Sequence, residues 1–343
     1  MKPLVSILVP AFNAQEFLAD TVKSALAQTW ERKEIIIVDD GSRDQTLGIA
    51  RSFECDSVKV VTQSNQGAAA TRNHAFALAQ GDYIQWLDAD DLLGRDKIRL
   101  QMERALQFAD PRWLISSEWA YFMHRPHKAQ FTPSLLWNDL SAVEWMTRKM
   151  EHNLFMQTGT WLLSRALTEA AGPWNTKLLS DDDGEYFARV LMACKGVKFV
   201  AGSRVYYRIS PASRLSYIGH NPRKMEAQLQ SMELNIGYLR SLGDSPRVRR
   251  ACVTYLKNWQ INFYPERPDL VQRAHELAKA LGGTLPAPSL SWKYAWIQKL
   301  FGWPTAKRSR ERYNRLKART RRTLDGFWHR IEGGSADAMS SLP

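Results

Sequence analysis

Cysteine is scarce in this chain: Cys55, Cys194 and Cys252 are the three in 343 residues, widely separated and with no Cys-x-x-Cys spacing. That argues against a disulfide framework or a cysteine-held structural zinc, and it fits a reducing compartment. Long apolar runs are missing too, since none approaches the ~18–20 residues of a membrane span. The apolar opening from Leu4 to Phe12 is interrupted by Pro10 and closed by Asn13, so it reads as a buried first strand rather than a secretory signal. A cytoplasmic protein is expected. No internal repeat is present. Acids are in deficit, 35 against 47 Lys and Arg, for a net charge of +12. The deficit is local: residues 293–330 carry a net +10, and the other 305 residues only +2. The basic character therefore belongs to a C-terminal tail, and says nothing about the rest.

What remains is an ordinary globular composition, 44% hydrophobic and 24% charged. Short apolar runs at Val5–Val9, Glu34–Val38, Val58–Thr62 and Tyr83–Leu87 predict strands covered on both faces. Helical spacing separates them: Leu18, Val22, Ala25 and Leu26, then Thr46–Phe53, then a stretch opening near Gly67 with Ala70, Ala77 and Leu78. This alternation predicts an α/β fold with a mainly parallel sheet. Residues 101–220 are less regular, with helices expected at Arg95–Phe108 and after Asn138-Asp139. From 222 to 281 the pattern turns helical, with Met225, Leu229, Met232, Ile236 and Leu239 on one face and Ser245-Pro246 as a cap and first-turn proline. Gly282-Gly283 and Pro286/Pro288 mark a hinge. The expected division is 1–220, a helical extension 221–283, and a basic tail 284–343.

In open α/β sheets reactive groups collect at the carboxyl ends of strands. Here those ends carry Pro10-Ala11-Phe12-Asn13, Asp39-Asp40-Gly41-Ser42-Arg43-Asp44, Asn65-Gln66-Gly67 ahead of Arg72-Asn73, and Asp88-Ala89-Asp90-Asp91. Asp and Gly also simply make turns. Two acidic clusters on one sheet edge, however, repel each other unless something cationic or donor-rich binds there. A divalent ion held between carboxylates and substrate phosphates meets that need.

Together these four motifs, in this order and at these spacings, resemble the family 2 glycosyltransferases over roughly residues 3–215. The resemblance implies an inverting enzyme of the GT-A fold that uses nucleotide-diphosphate sugars. It implies that Pro10, Ala11, Phe12, Asn13 and Gly67 line the nucleotide-sugar pocket and that Asp39 accepts hydrogen bonds from the base, a carboxylate facing N–H donors. Arg72 falls near the diphosphate. Asp88 and Asp90 form an Asp-x-Asp element in which Asp90 holds Mn2+ or Mg2+; Asp88 joins it or contacts the ribose, and Asp91 is an alternate ligand.

A second acidic run, Ser180-Asp181-Asp182-Asp183-Gly184-Glu185-Tyr186-Phe187-Ala188-Arg189, opens a helical stretch. By the same resemblance, counting back from Arg189 places Asp183 at the catalytic base, with Asp182 in place of the more usual Glu. Inversion needs one base for the acceptor hydroxyl. Acids at a helix N-terminus also serve simply to complement the macrodipole. Trp174 has two readings, a sugar-facing ring or a core aromatic. Tyr207-Arg208 and Ser213-Arg214 are candidates for a lid, and His220 for a late metal or phosphate contact.

In the tail, Trp292, Trp296, Leu300 and Trp303 share a helical stripe that Trp303-Pro304 should end; Tyr313, Leu316, Leu324 and Phe327 then recur among seven arginines from Arg308 to Arg322. Tryptophan with a polybasic helix suits an anionic membrane surface over residues 292–330. A helix packed back on the domain is the alternative, and no motif supports nucleic acid. The expectation is thus metal-dependent transfer of a sugar to a hydroxyl of a glycan or lipid-linked acceptor in cell-surface polysaccharide synthesis, in the cytoplasm and peripheral on the inner membrane face. The rivals are a catalytically idle nucleotide-binding adaptor and a sugar nucleotidyltransferase, the latter lacking its Gly-rich N-terminal loop.

Overall fold

A computed structural model describes residues 2–209, 218–219 and 221–332. The four apolar runs form β1 (Val5–Ala11), β2 (Lys33–Asp39), β3 (Val58–Thr62) and β4 (Tyr83–Trp86), linked by α1 (Leu18–Leu26), α2 (Thr46–Arg51) and α3 (Ala68–Leu78). These strands pair in parallel, and β1 is buried at nearly every position because helices cover both of its faces.

The chain continues through β5 (Leu92–Leu93), α4 (Lys97–Ala105), β6 (Trp113–Phe122), α5 (Ala142–Glu151), β7 (Leu162–Ser164), α6 (Arg165–Ala171), α7 (Asp182–Ala193) and β8 (Gly196–Arg208). One eight-stranded sheet results, in the order β3-β2-β1-β4-β7-β6-β8-β5. Only β7 and β5 run against the rest. The carboxyl ends of six strands therefore meet on one edge, the place where a site is expected. The long β6–β8 pair is parallel, with its register shifted between Ser117 and Glu118. It lies in the stretch whose sequence showed no clear period.

Beyond the sheet come α8 (Pro222–Leu242), α9 (Pro246–Trp259) and α10 (Pro268–Ala280). Met225, Leu229, Met232, Ile236 and Leu239 are all buried, in one core with Trp145, Met150, Trp161 and Tyr186 of the sheet region. The Ser245 hydroxyl accepts the Val248 amide at 3.3 Å with Pro246 in the first turn, the start the sequence predicts.

The tail forms α11 (Ala295–Ile331), which breaks at Gly302 (φ 78, ψ 166). The sequence placed the break at Trp303-Pro304. Pro304 instead sits in the first turn after the glycine, where its missing N–H costs nothing. There the helix is fastened to the body: Ala306 and Lys307 are buried, and the Lys307 ammonium donates to the Tyr264 carbonyl at 2.8 Å and to Glu266 at 2.7 Å. No helix among the described residues is long and apolar enough to cross a membrane.

Candidate active site

The loop after β1 is tied to the loop after β2. The Asp40 amide donates to the Ala11 carbonyl at 2.8 Å, the Arg43 amide to the Asn13 side chain at 2.9 Å, and the Asn13 amide to Ser42 Oγ at 2.9 Å. Asn13 takes a left-handed conformation (φ 48), which asparagine tolerates better than most. Phe12 is 48% exposed and Pro10 half-buried, whereas the Ala11 methyl is in the core. Ala11 can therefore line a pocket only through its backbone.

At the end of β2, Asp39 and Asp40 do different work. Asp39 accepts the Thr62 hydroxyl at 2.9 Å and the Ser42 amide at 3.3 Å. Asp40 is a brace, taking the Gly67 amide at 2.8 Å, the Gln66 amide at 2.9 Å and the Gln63 side chain at 2.8 Å. It thereby holds the loop that starts α3. Gly67 caps that helix with φ 88 and ψ 164, a backbone region open essentially to glycine; a Cβ there would meet nothing within 4 Å, so conformation rather than space requires it.

At the end of β4, Asp88 and Asp90 are half-buried while Asp91 is fully enclosed. Asp91 accepts the Arg208 amide at 2.8 Å and the Gln157 side chain at 2.5 Å. These bonds make it an internal tie between β4, β8 and the segment before β7, not the alternate metal ligand the sequence suggested. Arg208 is similarly committed: its Nε donates to the Asp90 carbonyl at 2.8 Å, and its guanidinium lies 4.4 Å over the Phe122 ring. It anchors the loop, which is not the behaviour of a lid. Ser213, Arg214 and His220 lie outside the described residues.

Arg72, on α3, joins the two acidic regions. Its guanidinium reaches Asp88 and Asp182, each at 2.9 Å, and sits 4.4 Å over the Trp174 ring. Burial opposes its charge, but the carboxylates of Asp88 and Asp182 outweigh that and raise its pKa above the ordinary arginine value. The arginine therefore spans the two acid clusters. Trp174 is 2% exposed and stacks 4.0 Å from Tyr186, which makes it a core aromatic.

The triplet opens α7. Asp183 is half-buried, its Oδ1 accepting the Gly184 amide at 2.9 Å, and it takes no ion-pair partner among the described residues. Asp182 is held by Arg72; burial raises its pKa, Arg72 opposes the rise, and the Asp183 charge adds to it. Asp181 adopts a left-handed conformation (φ 56), and burial pushes its carboxyl up to about 6. It accepts the Ser231 hydroxyl at 2.6 Å and the Gln228 side chain at 3.4 Å, both from α8. Gly184 leaves room for it, since a Cβ there would land on the Asp181 carboxylate. No sequence signal connected Ser231 or Gln228 to the triplet; the link exists only because α8 packs on α7.

Among the described residues no three or more His, Cys, Asp or Glu side chains gather to hold a metal. At the end of β4, Asp88 and Asp90 offer two half-buried carboxylates on the sheet edge. That all-oxygen set fits Mg2+ or Mn2+, which keeps waters and takes other ligands from substrate phosphates.

Residues 6–170 match the model of the family described as Glycosyl transferase family 2. TuaG of Bacillus subtilis, named for teichuronic acid biosynthesis, is 37% identical over 145 residues, 39% of this chain and 58% of its own. Chondroitin synthase of Escherichia coli is 40% identical over 103 residues, 29% of this chain and 15% of its own. The chain thus spans at most about three-fifths of these relatives (58%). In fold it is similar to S. aureus TarS solved with UDP-GlcNAc (TM-score 0.65, 15% identity, 81% of each chain). It is also similar to the mannosyltransferase PcManGT of Pyrobaculum calidifontis solved with GDP-Man and Mn2+ (TM-score 0.55, 17% identity, 96% of this chain and 88% of that one). With four motif-bearing strand ends on one edge of a mainly parallel sheet, the chain has the GT-A fold, and its residues 6–170 carry the match to glycosyltransferase family 2.

Proposed function

We propose that the protein transfers a sugar from a nucleotide-diphosphate sugar to a hydroxyl of a glycan or lipid-linked acceptor, with inversion, in cell-surface polysaccharide synthesis. The observation that carries this reading is the Asp88–Arg72–Asp182 bridge. It sets the Asp-x-Asp pair on β4 and the triplet on α7 one guanidinium apart, so donor-side and acceptor-side acids share one cleft. The names of the relatives, for teichuronic acid and chondroitin, support the polysaccharide assignment. The UDP-GlcNAc and GDP-Man bound by the two solved structures support a nucleotide-sugar donor.

In this reading Asp39 accepts N–H groups of the base, and Phe12 and Asn13 wall the nucleotide pocket. Asp88 and Asp90 would hold Mn2+ or Mg2+, which would act as a Lewis acid neutralising charge on the departing diphosphate. Asp183 takes the proton of the acceptor hydroxyl as its oxygen bonds to the anomeric carbon from the face opposite the leaving group. Asp182, charge-balanced by Arg72, is the less suited of the two as a base because its carboxylate is already engaged. The enzyme works in the cytoplasm, peripheral on the inner face of the membrane. A panel of nucleotide sugars assayed for nucleotide release in Mn2+ tests the reading. Acceptor-stimulated release from one donor is the expected result. Tight nucleotide binding with no turnover of any donor would instead favour an idle adaptor.

A further inference from the structure

The segment 292–331 holds ten of the seventeen large hydrophobic side chains exposed among the described residues, a concentration rather than a scatter. Trp292 is 80% exposed, Leu316 65% and Ile331 58%. At roughly 100° per residue, Tyr313, Leu316, Leu324, Phe327 and Ile331 fall within an arc of about 80°. Arg308, Arg312, Arg315, Arg319 and Arg330 fill an adjoining arc of about 60°. A further side of the helix faces the body. There Asp325 accepts the His124 amide at 2.9 Å and pairs with Arg125 at 2.8 Å, Glu332 pairs with the same Arg125 at 2.9 Å, and Arg322 pairs with Glu16 at 3.0 Å. The acids near the C-terminal end of the helix are thus engaged with the body. The outer surface is an apolar stripe bordered by arginines.

We propose that this surface is an interfacial anchor that docks the enzyme on an anionic phospholipid bilayer. The inference gives residues and an orientation to the membrane contact in the reading above, and rests on that reading only for its biological purpose. Charge selects the occupant. A second copy laid antiparallel on the stripe would bring its own arginine row close to this one, whereas a surface of lipid phosphates neutralises it. The exposed tryptophans near the start, Trp292 and Trp296, have the amphipathic rings that suit the headgroup layer. The orientation follows from the docking contacts. Leu324 and Trp328 share a pocket with Tyr121 and Phe122 at the carboxyl end of β6, the sheet edge that also carries Asp88 and Asp90. A bilayer held by α11 lies beside the edge where a sugar would be transferred, which suits an acceptor whose lipid stays in the membrane.

The test uses the full chain, because deleting the tail would also strip Ala306 and Lys307 from the body. Protein is floated with vesicles of phosphatidylglycerol and phosphatidylethanolamine, and separately with phosphatidylcholine alone. Flotation with the anionic vesicles only is expected, with release toward 1 M salt, where the screening length is about 3 Å. Arg312→Glu, Arg315→Glu and Arg319→Glu combined should weaken partitioning at least about a hundredfold. Leu316→Glu with Phe327→Glu should abolish it, while thermal unfolding of both variants stays at the wild-type midpoint. Asp183→Asn should float as wild type does, so an error in the catalytic assignment leaves this result untouched. Wild-type flotation by the Glu variants, equal binding to phosphatidylcholine, or a solution dimer that Leu316→Glu with Phe327→Glu dissolves would each overturn the proposal.

Discussion

Arg72 and Asp182, 110 positions apart in the chain, form an ion pair of 2.9 Å. The same guanidinium holds Asp88 at 2.9 Å, so the start of α7 is positioned by the end of β4 through a single side chain. Arg72, a motif residue of α3, thus joins the Asp-x-Asp segment to the acidic triplet.

Arg72→Ala leaves Asp88 and Asp182 facing each other with no cation between them. Removing one partner from a buried pair costs roughly 3–5 kcal/mol, and the lower end applies because both carboxylates keep some solvent contact. A lowered unfolding midpoint is expected together with a loss in transfer of about 10²-fold from misplacement of the triplet. Arg72→Lys keeps a charge but lacks the fork that spans two acids, so it should restore stability more than activity.

Asp181 makes the stability dependent on pH. Its folded pKa, raised by burial to about 6, exceeds the 3.8 of a free aspartate. Between those values the folded chain holds a proton that the unfolded chain has released, so this site's contribution to stability falls as pH rises through that window. Asp181→Asn removes the dependence. Its unfolding midpoint relative to wild type should therefore increase from pH 3.8 to pH 6 and level off above it, as followed by thermal unfolding across the range. A difference that stays flat would contradict the burial argument.

Asp90→Asn withdraws one of the two carboxylates offered to the ion. The Mn2+ concentration needed for half-maximal transfer should rise by at least about tenfold, since even loss of an outer partner costs that much. A titration of rate against Mn2+ measures it. An unchanged requirement would move the metal role away from this aspartate.

The strands β1 to β4 were legible because fully covered strands write themselves as short apolar runs, and their carboxyl ends then located Asp39, Asp88 and Asp90 without further help. The cap at Ser245 was legible for the same local reason. What was not legible depends on distant partners. Asp91 looks like Asp90 in sequence, yet Arg208 and Gln157 enclose it. Asp40 looks like Asp39, yet it closes the Gly67 loop. Ser231 and Gln228 sit on a helix whose period announced only its apolar face, and their bonds to Asp181 come from its packing angle. The break in α11 was misplaced by two residues because proline is the louder signal, while Gly302 supplies the left-handed backbone that turns the chain.

The central claim is that Asp183, and not Asp182, takes the acceptor proton. The direct measurement is transfer rate and donor affinity for Asp183→Asn, an isosteric change that removes the base and leaves the Arg72 bridge intact. A loss in transfer of about 10²–10⁴-fold with nucleotide-sugar affinity unchanged is the expected result. Wild-type transfer by Asp183→Asn, with the loss appearing instead in Asp182→Asn, would contradict the account.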